Sequence, residues 1–384
     1  MRLEGVAVHR VRLPMRHPVG TAAGTHLERP VIYVEVRADG GAGWGECAAL
    51  ADGTAVDPPL ERLWQDLTGK VVGRVAAAAA ARGGRLPPSP QVRSLFNADP
   101  AGRLAAAAIE MALLDLELRA AGRSLAEHLG GVVDGAGVPV GAVVGIPPGH
   151  RVGDVVAAVD GLVEAGYRRV RVKIEPGFDV APLSAVRRAH PELALQADAN
   201  GAYRWGASGL EDARRLAGLD PLGLSCLEQP LPAPDLPSHA ELAAVLETPV
   251  CLDESLGSHR SLVDAIRYGA CEVACLKPAR LGGVAAARQA QALCQASGVP
   301  AFVGGFFETG LARVANAAVA TLPGFTMAGD LGAPAGYLEV DPCPYPVVRA
   351  GRLHLPTAPG VGGWPDPAVL ARFGLATVWI PAQG

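Results

Sequence analysis

From Arg169 to Asp179 the chain reads RVRVKIEPGFD. Val170, Val172 and Ile174 alternate with Arg169, Arg171 and Lys173, a two-residue period that predicts a strand with one apolar and one cationic face. From residue 137 onward, similar short apolar runs alternate with stretches of helical period: VPVGAVVGI, RRVRVKI, ELALQADAN, GLSCLEQP, PVCLDES, CEVACLKP, PAFVGGFFE and FTMAGDL. Such alternation implies βαβ units and a parallel sheet. Eight units in about 200 residues predict a (β/α)8-type, TIM-like barrel over 137–335. Upstream the pattern is α+β. GVAVHRVRLPM and VIYVEVRADGGAGWGECAAL predict antiparallel strands, the latter turning at Asp39-Gly40-Gly41. Between them PMRHPVGTAAGTHLE, rich in small residues, predicts a flexible loop. The run from Ala101 to Gly131 has helical spacing and stops at Gly130-Gly131.

The charged residues follow the same period. Lys173, Asp198, Glu228, Asp253 and Lys277 are 25, 30, 25 and 24 residues apart, one βα unit each time, and each ends its strand. The C-terminal ends of barrel strands converge on one face, where catalytic residues of this fold are found. Arg169, Arg171 and Lys173 are then expected to point into the barrel. Buried cations need facing anions, and the next three strands supply them.

Composition narrows the classes. A chain of 384 residues accommodates two domains or a barrel with an attachment. A net charge of −4 gives no footprint for nucleic acid or an anionic membrane. No apolar run reaches the roughly 18 residues of a transmembrane span, and MRLEGVAVHRVRL has no signal-peptide pattern. Seven cysteines without a CxxC indicate neither a disulfide framework nor a zinc site, so a cytoplasmic protein is expected. Lysine is rare: Lys70, Lys173 and Lys277 stand against 31 arginines. A site that keeps lysine in such a chain points to a group that must lose its proton near neutral pH, which arginine cannot do.

Asp198, Glu228 and Asp253, packed together unaided, would repel and raise one another's pKa. A single divalent cation resolves this; three carboxylates with room for water or substrate suit Mg²⁺, with Mn²⁺ able to stand in. The plainer alternative is that these acids cap the helices that follow. Lys173 and Lys277 would flank the cation from opposite sides. A lysine near other cations and partly desolvated has a lowered pKa and can act as a base. With a substrate carboxylate on the metal, its α-carbon would lie between the lysines and the metal would stabilise an enediolate. Structural salt bridges to the acids, or a Schiff base on one lysine, are the competing roles for these lysines.

The motifs WGEC (44–47), VKIEPGFD (172–179), DAN (198–200), LEQPL (227–231), CLDES (251–255), KPARLGG (277–283) and GGFFETG (304–310) together resemble the enolase superfamily, muconate-lactonizing subgroup. Within it the chain is most similar to the o-succinylbenzoate synthase / N-acylamino acid racemase family, over nearly its whole length. The resemblance implies Mg²⁺ on Asp198, Glu228 and Asp253, and Lys173 and Lys277 as the acid/base pair. Asn200 and Glu254 match positions behind the metal ligands, and Glu308 and Thr309 match the seventh-strand segment near the substrate. Arg280 matches the arginine that helps keep the sixth-strand lysine unprotonated. The implied architecture is a modified barrel with an α+β capping domain (1–130) and a tail (336–384) returning to it. The lid would be the loop at about 15–27, carrying Thr21, Gly24 and Thr25. The small-molecule substrate would be a carboxylate, and a homo-oligomer is the family habit.

A lysine on strand six and the lack of a seventh-strand histidine argue against mandelate-type chemistry. Asp330 has no second acid two residues on, which argues against the D-x-D that holds a free amine in the dipeptide epimerases of this superfamily. An N-succinyl or other N-acyl group fits better. The departures are Arg171 at the first position of the family's KxK motif, and Leu331, Gly332, Ala333 and Pro334 where small hydroxyl residues are usual. The leading expectation is dehydration to o-succinylbenzoate, a menaquinone precursor, and/or racemisation of N-succinyl amino acids. A muconate-type cycloisomerase and a non-catalytic metal-binding scaffold are the alternatives.

Overall fold

The computed structural model describes residues 1–21, 24–131 and 137–382. Strands β1 (Leu3–Thr21), β2 (Gly24–Ala38) and β3 (Gly41–Cys47) form an antiparallel sheet with β14 (Gly374–Pro381), in the order β14-β1-β2-β3. Alternation gives this cap two apolar faces. Val6, Val8, Ile32, Val34 and Val36 enter one cluster with the helix Pro100–Ala120, while Val11, Leu13, Val31, Tyr33 and Trp44 join the barrel core. The helix lies directly on β3: a Cβ at Gly43 would come within 2.1 Å of Ala112 O, and one at Gly45 within 2.0 Å of Ala108 O. Glycine in the WGEC motif is therefore a packing requirement.

Residues 15–21 and 24–27 of the expected flexible loop are drawn into this sheet. β1 and β2 continue as a hairpin, pairing Val19 with His26, Gly20 with Thr25 and Thr21 with Gly24. A register shift between Pro14 and Val19 lets the ladder pass the proline and resume. Ala22 and Ala23 of the expected lid lie outside the described residues.

The barrel strands are β5 (Ala142–Val144), β6 (Arg169–Lys173), β7 (Ala194–Asp198), β8 (Leu227–Glu228), β9 (Val250–Leu252), β10 (Val273–Leu276) and β11 (Ala301–Val303). They are parallel and in sequence order. The expected first strand is split. β4 (Val138–Pro139) pairs instead with β13 (Arg352–Leu353), which pairs with β12 (Val348–Arg349). The expected eighth strand is not one. FTMAGDL makes only isolated bridges, Phe325 to Ala301 and Gly329 to Val140, which close the ring. Glycines at 324, 329 and 332 and Pro334 leave this segment few side chains to pack and one donor fewer.

Carboxylates of the cap dock it onto the barrel. Glu46 accepts from Thr309 N (3.0 Å) and Ala312 N (3.3 Å), at the start of the helix Gly310–Val319. Glu110 accepts from Val284 N (2.6 Å) and Ala285 N (3.2 Å), at the start of the helix Val284–Ala296. Each fills orphan donors at a helix N-terminus. Burial pushes both glutamates up, to about 7. All seven cysteines are free and buried. Among the described residues no helix is long and apolar enough to cross a membrane.

Candidate active site

The row of cations on β6 faces inward and each member is buried. Arg169 donates to Asp330 and Gln196, and its guanidinium lies 4.9 Å from the Phe302 ring centroid. Arg171 donates to Glu228, approaches Asp198 Oδ2 at 3.0 Å and lies 2.7 Å from Asp330 Oδ2. Three carboxylates thus balance the charge of the buried Arg171 through Nη1 and Nη2, while its Nε is buried without a hydrogen-bond partner. Above it, Lys173 Nζ donates to Asp198 Oδ2 at 2.6 Å and Asn200 Oδ1 at 2.7 Å.

Register places the acids side by side. Lys173 pairs with Asp198, and Asp198 with Glu228, across neighbouring strands. Asp253 follows β9 and receives Lys277 Nζ at 2.6 Å. Arg280 also donates to Asp253. Asn200 links Lys173 to Glu254, donating Nδ2 to Glu254 Oε1 at 2.9 Å. β6 and β10 are separated by three strands, so Lys173 and Lys277 stand on opposite sides of the mouth with the acids between them.

Electrostatics single out a surplus of negative charge. Burial pushes Glu228 well up; Arg171 opposes this, and Asp198 and Asp253 add to it. Glu254 is raised by burial and then by Asp253, and its Oε2 is buried without a hydrogen-bond partner. Asp253 is lowered: burial is outweighed by Lys277 and Arg280. Lys277 departs from the expected lowering. Burial and Arg280 push it down, but Asp253 outweighs them and its pKa is raised.

An orphaned buried carboxylate oxygen and three adjoining acids of the oxygen-donor type fit a hard divalent cation. A different group, Glu228, Cys275 and Asp330, has ligand atoms within 4.8 Å of one another. It is the poorer candidate, because burial holds the Cys275 thiol well above its ordinary pKa and Asp330 already carries two arginines.

The remaining expected residues divide. Glu308 is buried, accepting from Asn316 Nδ2 at 3.0 Å and forming an ion pair with Arg313 Nη2 at 3.0 Å. Thr309 donates to Glu46 Oε2 at 2.7 Å and accepts from Tyr33 OH at 2.8 Å, which makes it a joint between cap and barrel. Thr21, Gly24 and Thr25 belong to the β1–β2 hairpin. Several contributors carry no sequence period and were not expected. Gln229, at φ 39°, accepts from Asp253 N (2.9 Å) and Ser255 N (3.2 Å), fixing the Asp253 turn to β8; its place in LEQP is the one signal for it. The Phe306 ring centroid lies 4.6 Å from Lys277 Nζ and 4.9 Å from the Arg280 guanidinium carbon. Asp57 pairs with Arg280 from the cap.

Two family models match the chain: "Mandelate racemase / muconate lactonizing enzyme, N-terminal domain" over residues 4–130, and "Enolase C-terminal domain-like" over 154–369. An N-succinylamino acid racemase from Amycolatopsis sp is 40% identical, covering 99% of this chain and 100% of that relative. An o-succinylbenzoate synthase from Geobacillus kaustophilus is 36% identical over 97% of this chain and 96% of its own length. Among solved structures, a probable mandelate racemase from Alicyclobacillus acidocaldarius superposes with a TM-score of 0.86 at 38% identity, covering 99% of both chains.

Proposed function

Since the chain belongs to the mandelate racemase / muconate lactonizing enzyme family of the enolase superfamily, we propose that it is a lyase/isomerase removing a proton α to a carboxylate. Its substrates are an N-succinyl or related N-acyl amino acid, which it racemises, and the succinyl-hydroxycyclohexadiene carboxylate that dehydrates to o-succinylbenzoate. A relative named for the racemisation, at 40% identity, and another named for o-succinylbenzoate synthesis, at 36%, support the pair. Both reactions begin by breaking the same kind of C–H bond, so one arrangement of residues serves both.

The observation that carries the reading is the placing of Lys173 and Lys277 on opposite sides of one acidic cluster. One lysine takes the α-proton; the other, protonated, delivers its own proton to the opposite face, which inverts the centre, or holds charge while the hydroxyl leaves as water with the proton that the first lysine took. Asp198, Glu228 and Asp253 would hold one Mg²⁺, with Mn²⁺ as a substitute. When bound, that ion supplies positive charge to the substrate carboxylate and draws on the Asp253 charge that otherwise holds Lys277 protonated. Asn200 orients Lys173. Arg280 adds positive charge beside Lys277 and works against the upward push of Asp253 on its pKa. Arg171, fixed beneath them, cannot be a base and serves as fixed charge.

In this reading residues 1–130 are the cap, 137–335 the barrel and 336–384 the returning tail. Residues 383 and 384 of that tail lie outside the described residues. Free buried thiols support a reducing, cytoplasmic setting. The test is a paired assay: optical rotation of N-succinyl-L-phenylalanine, and aromatisation absorbance of the cyclohexadiene. Decay of rotation to zero, or aromatisation, supports the proposal. A protein that binds Mg²⁺ and does neither contradicts it.

A further inference from the structure

The loop after β3 reaches into the site from the cap. Asp57 is 4% exposed and Arg280 2%. Arg280 donates Nε to Asp57 Oδ1 at 3.0 Å and Nη2 to Oδ2 at 2.7 Å, a two-pronged pair. Its remaining nitrogen, Nη1, donates to Asp253. The loop is built around this carboxylate. Thr54 Oγ1 donates to Asp57 Oδ2 at 2.9 Å and accepts from Asp57 N at 2.9 Å. Gly53 has φ +74°, and a Cβ there would lie 2.4 Å from Asp57 O. A second cap residue, Arg103, donates to Arg280 O at 3.0 Å.

Two cations, Lys277 and Arg280, face Asp253. Asp57 balances the second of them from its far side. Without that balance the whole guanidinium charge would turn on Asp253 and compete with any other cation for its oxygens.

We propose that Asp57 is a positioning residue of the metal site: by holding Arg280 in a two-pronged pair, it leaves Asp253 the charge needed to ligate a divalent cation. The inference rests on the reading of Asp198, Glu228 and Asp253 as metal ligands. It makes the cap loop at 48–58 part of the cation site, although none of its residues need touch the ion.

The test is Mn²⁺ binding to the full chain, followed by calorimetry and electron paramagnetic resonance, with circular dichroism as the check on folding. Asp57→Asn should weaken Mn²⁺ by at least about tenfold. Thr54→Val, which keeps the Asp57 charge but removes the hydroxyl's hydrogen bonds with the Asp57 carboxylate, Asp57 N and Val56 N, should cost under about threefold. In an Arg280→Met background, Asp57→Asn should cost no more than about threefold, because the residue it acts through is gone. Unchanged affinity in Asp57→Asn overturns the inference, as does a tenfold loss that persists without Arg280. A tenfold loss in Thr54→Val assigns the effect to loop shape and overturns it too. Wild-type protein that binds no Mn²⁺ overturns the metal reading itself, and this inference with it.

Discussion

Arg171 Nη2 lies 2.7 Å from Asp330 Oδ2, and Arg169 donates to the other oxygen of the same carboxylate. Asp330 is thereby committed to two buried guanidiniums below the mouth. Its pKa is held down: burial is outweighed by Arg171 and Arg169. Both oxygens of this aspartate face guanidiniums and its charge is already paired, which agrees with a neutral acyl group on the substrate nitrogen.

Asp330→Asn should therefore act on stability. It leaves two buried cations short of an anion, which costs about 3–5 kcal/mol. Urea unfolding followed by circular dichroism reads this as a lower midpoint with an unchanged slope. A variant as stable as wild type would mean that the arginines find other partners.

Proton transfer is the role proposed for the two lysines. Lys173→Ala and Lys277→Ala should each lower racemisation by about 10²–10⁴-fold with the fold retained. Lys277→Arg keeps the charge but cannot give up a proton, so it should also lose racemisation. Polarimetry on the purified variants decides this, and normal turnover in Lys277→Arg would end the assignment of Lys277 as a base.

Glu46 predicts a pH dependence of the joint between cap and barrel. Burial pushes its pKa up from 4.5 to about 7. A group raised on folding stabilises the folded state below its unfolded pKa, and that contribution is lost as pH rises from about 4.5 through 7. Its share is up to about 3 kcal/mol. Comparison of unfolding free energies at pH 5 and pH 8 should show a smaller fall in Glu46→Gln than in wild type. Parallel curves would place the titration elsewhere.

Cation binding should stabilise the fold. Glu228 is buried among acids that push its pKa up, and a ligand that binds only the folded state adds about 2.7 kcal/mol at one hundred times its Kd. The midpoint of thermal unfolding should rise with Mg²⁺ and fall with EDTA, and Glu228→Gln should abolish most of that response. An equal response in the variant would move the ion away from Glu228.

Much of this site was legible in the sequence because it has a period. Lys173, Asp198, Glu228, Asp253 and Lys277 recur once per βα unit, and parallel pairing turns that period into one layer. The inward face of RVRVK was legible for the same reason, as strand alternation has only two sides. Other parts rest on contacts with no local signature. Asp57 meets Arg280 across 223 residues and Glu46 meets Thr309 across 263. The upward pKa of Lys277 depends on a 2.6 Å contact with Asp253 that spacing cannot supply. The pairing of residues 19–21 with 24–26 was hidden because sequence rich in small residues reads as loop, while backbone pairing with a neighbouring strand overrides weak propensity. FTMAGDL failed in the other direction: apolar residues suggested a strand, but glycines and Pro334 reduce it to two bridges.

The most direct test of the central claim is exchange of the α-proton. The protein, with Mg²⁺, is placed in D₂O with N-succinyl-L-phenylalanine, and the α-proton signal is followed by NMR with and without EDTA. Loss of the signal with Mg²⁺, its persistence with EDTA, and its persistence in the Lys173→Ala, Lys277→Ala double variant are the results expected. Persistence of the signal in the Mg²⁺-loaded wild-type protein, or exchange that survives loss of both lysines, would contradict proton abstraction by this pair.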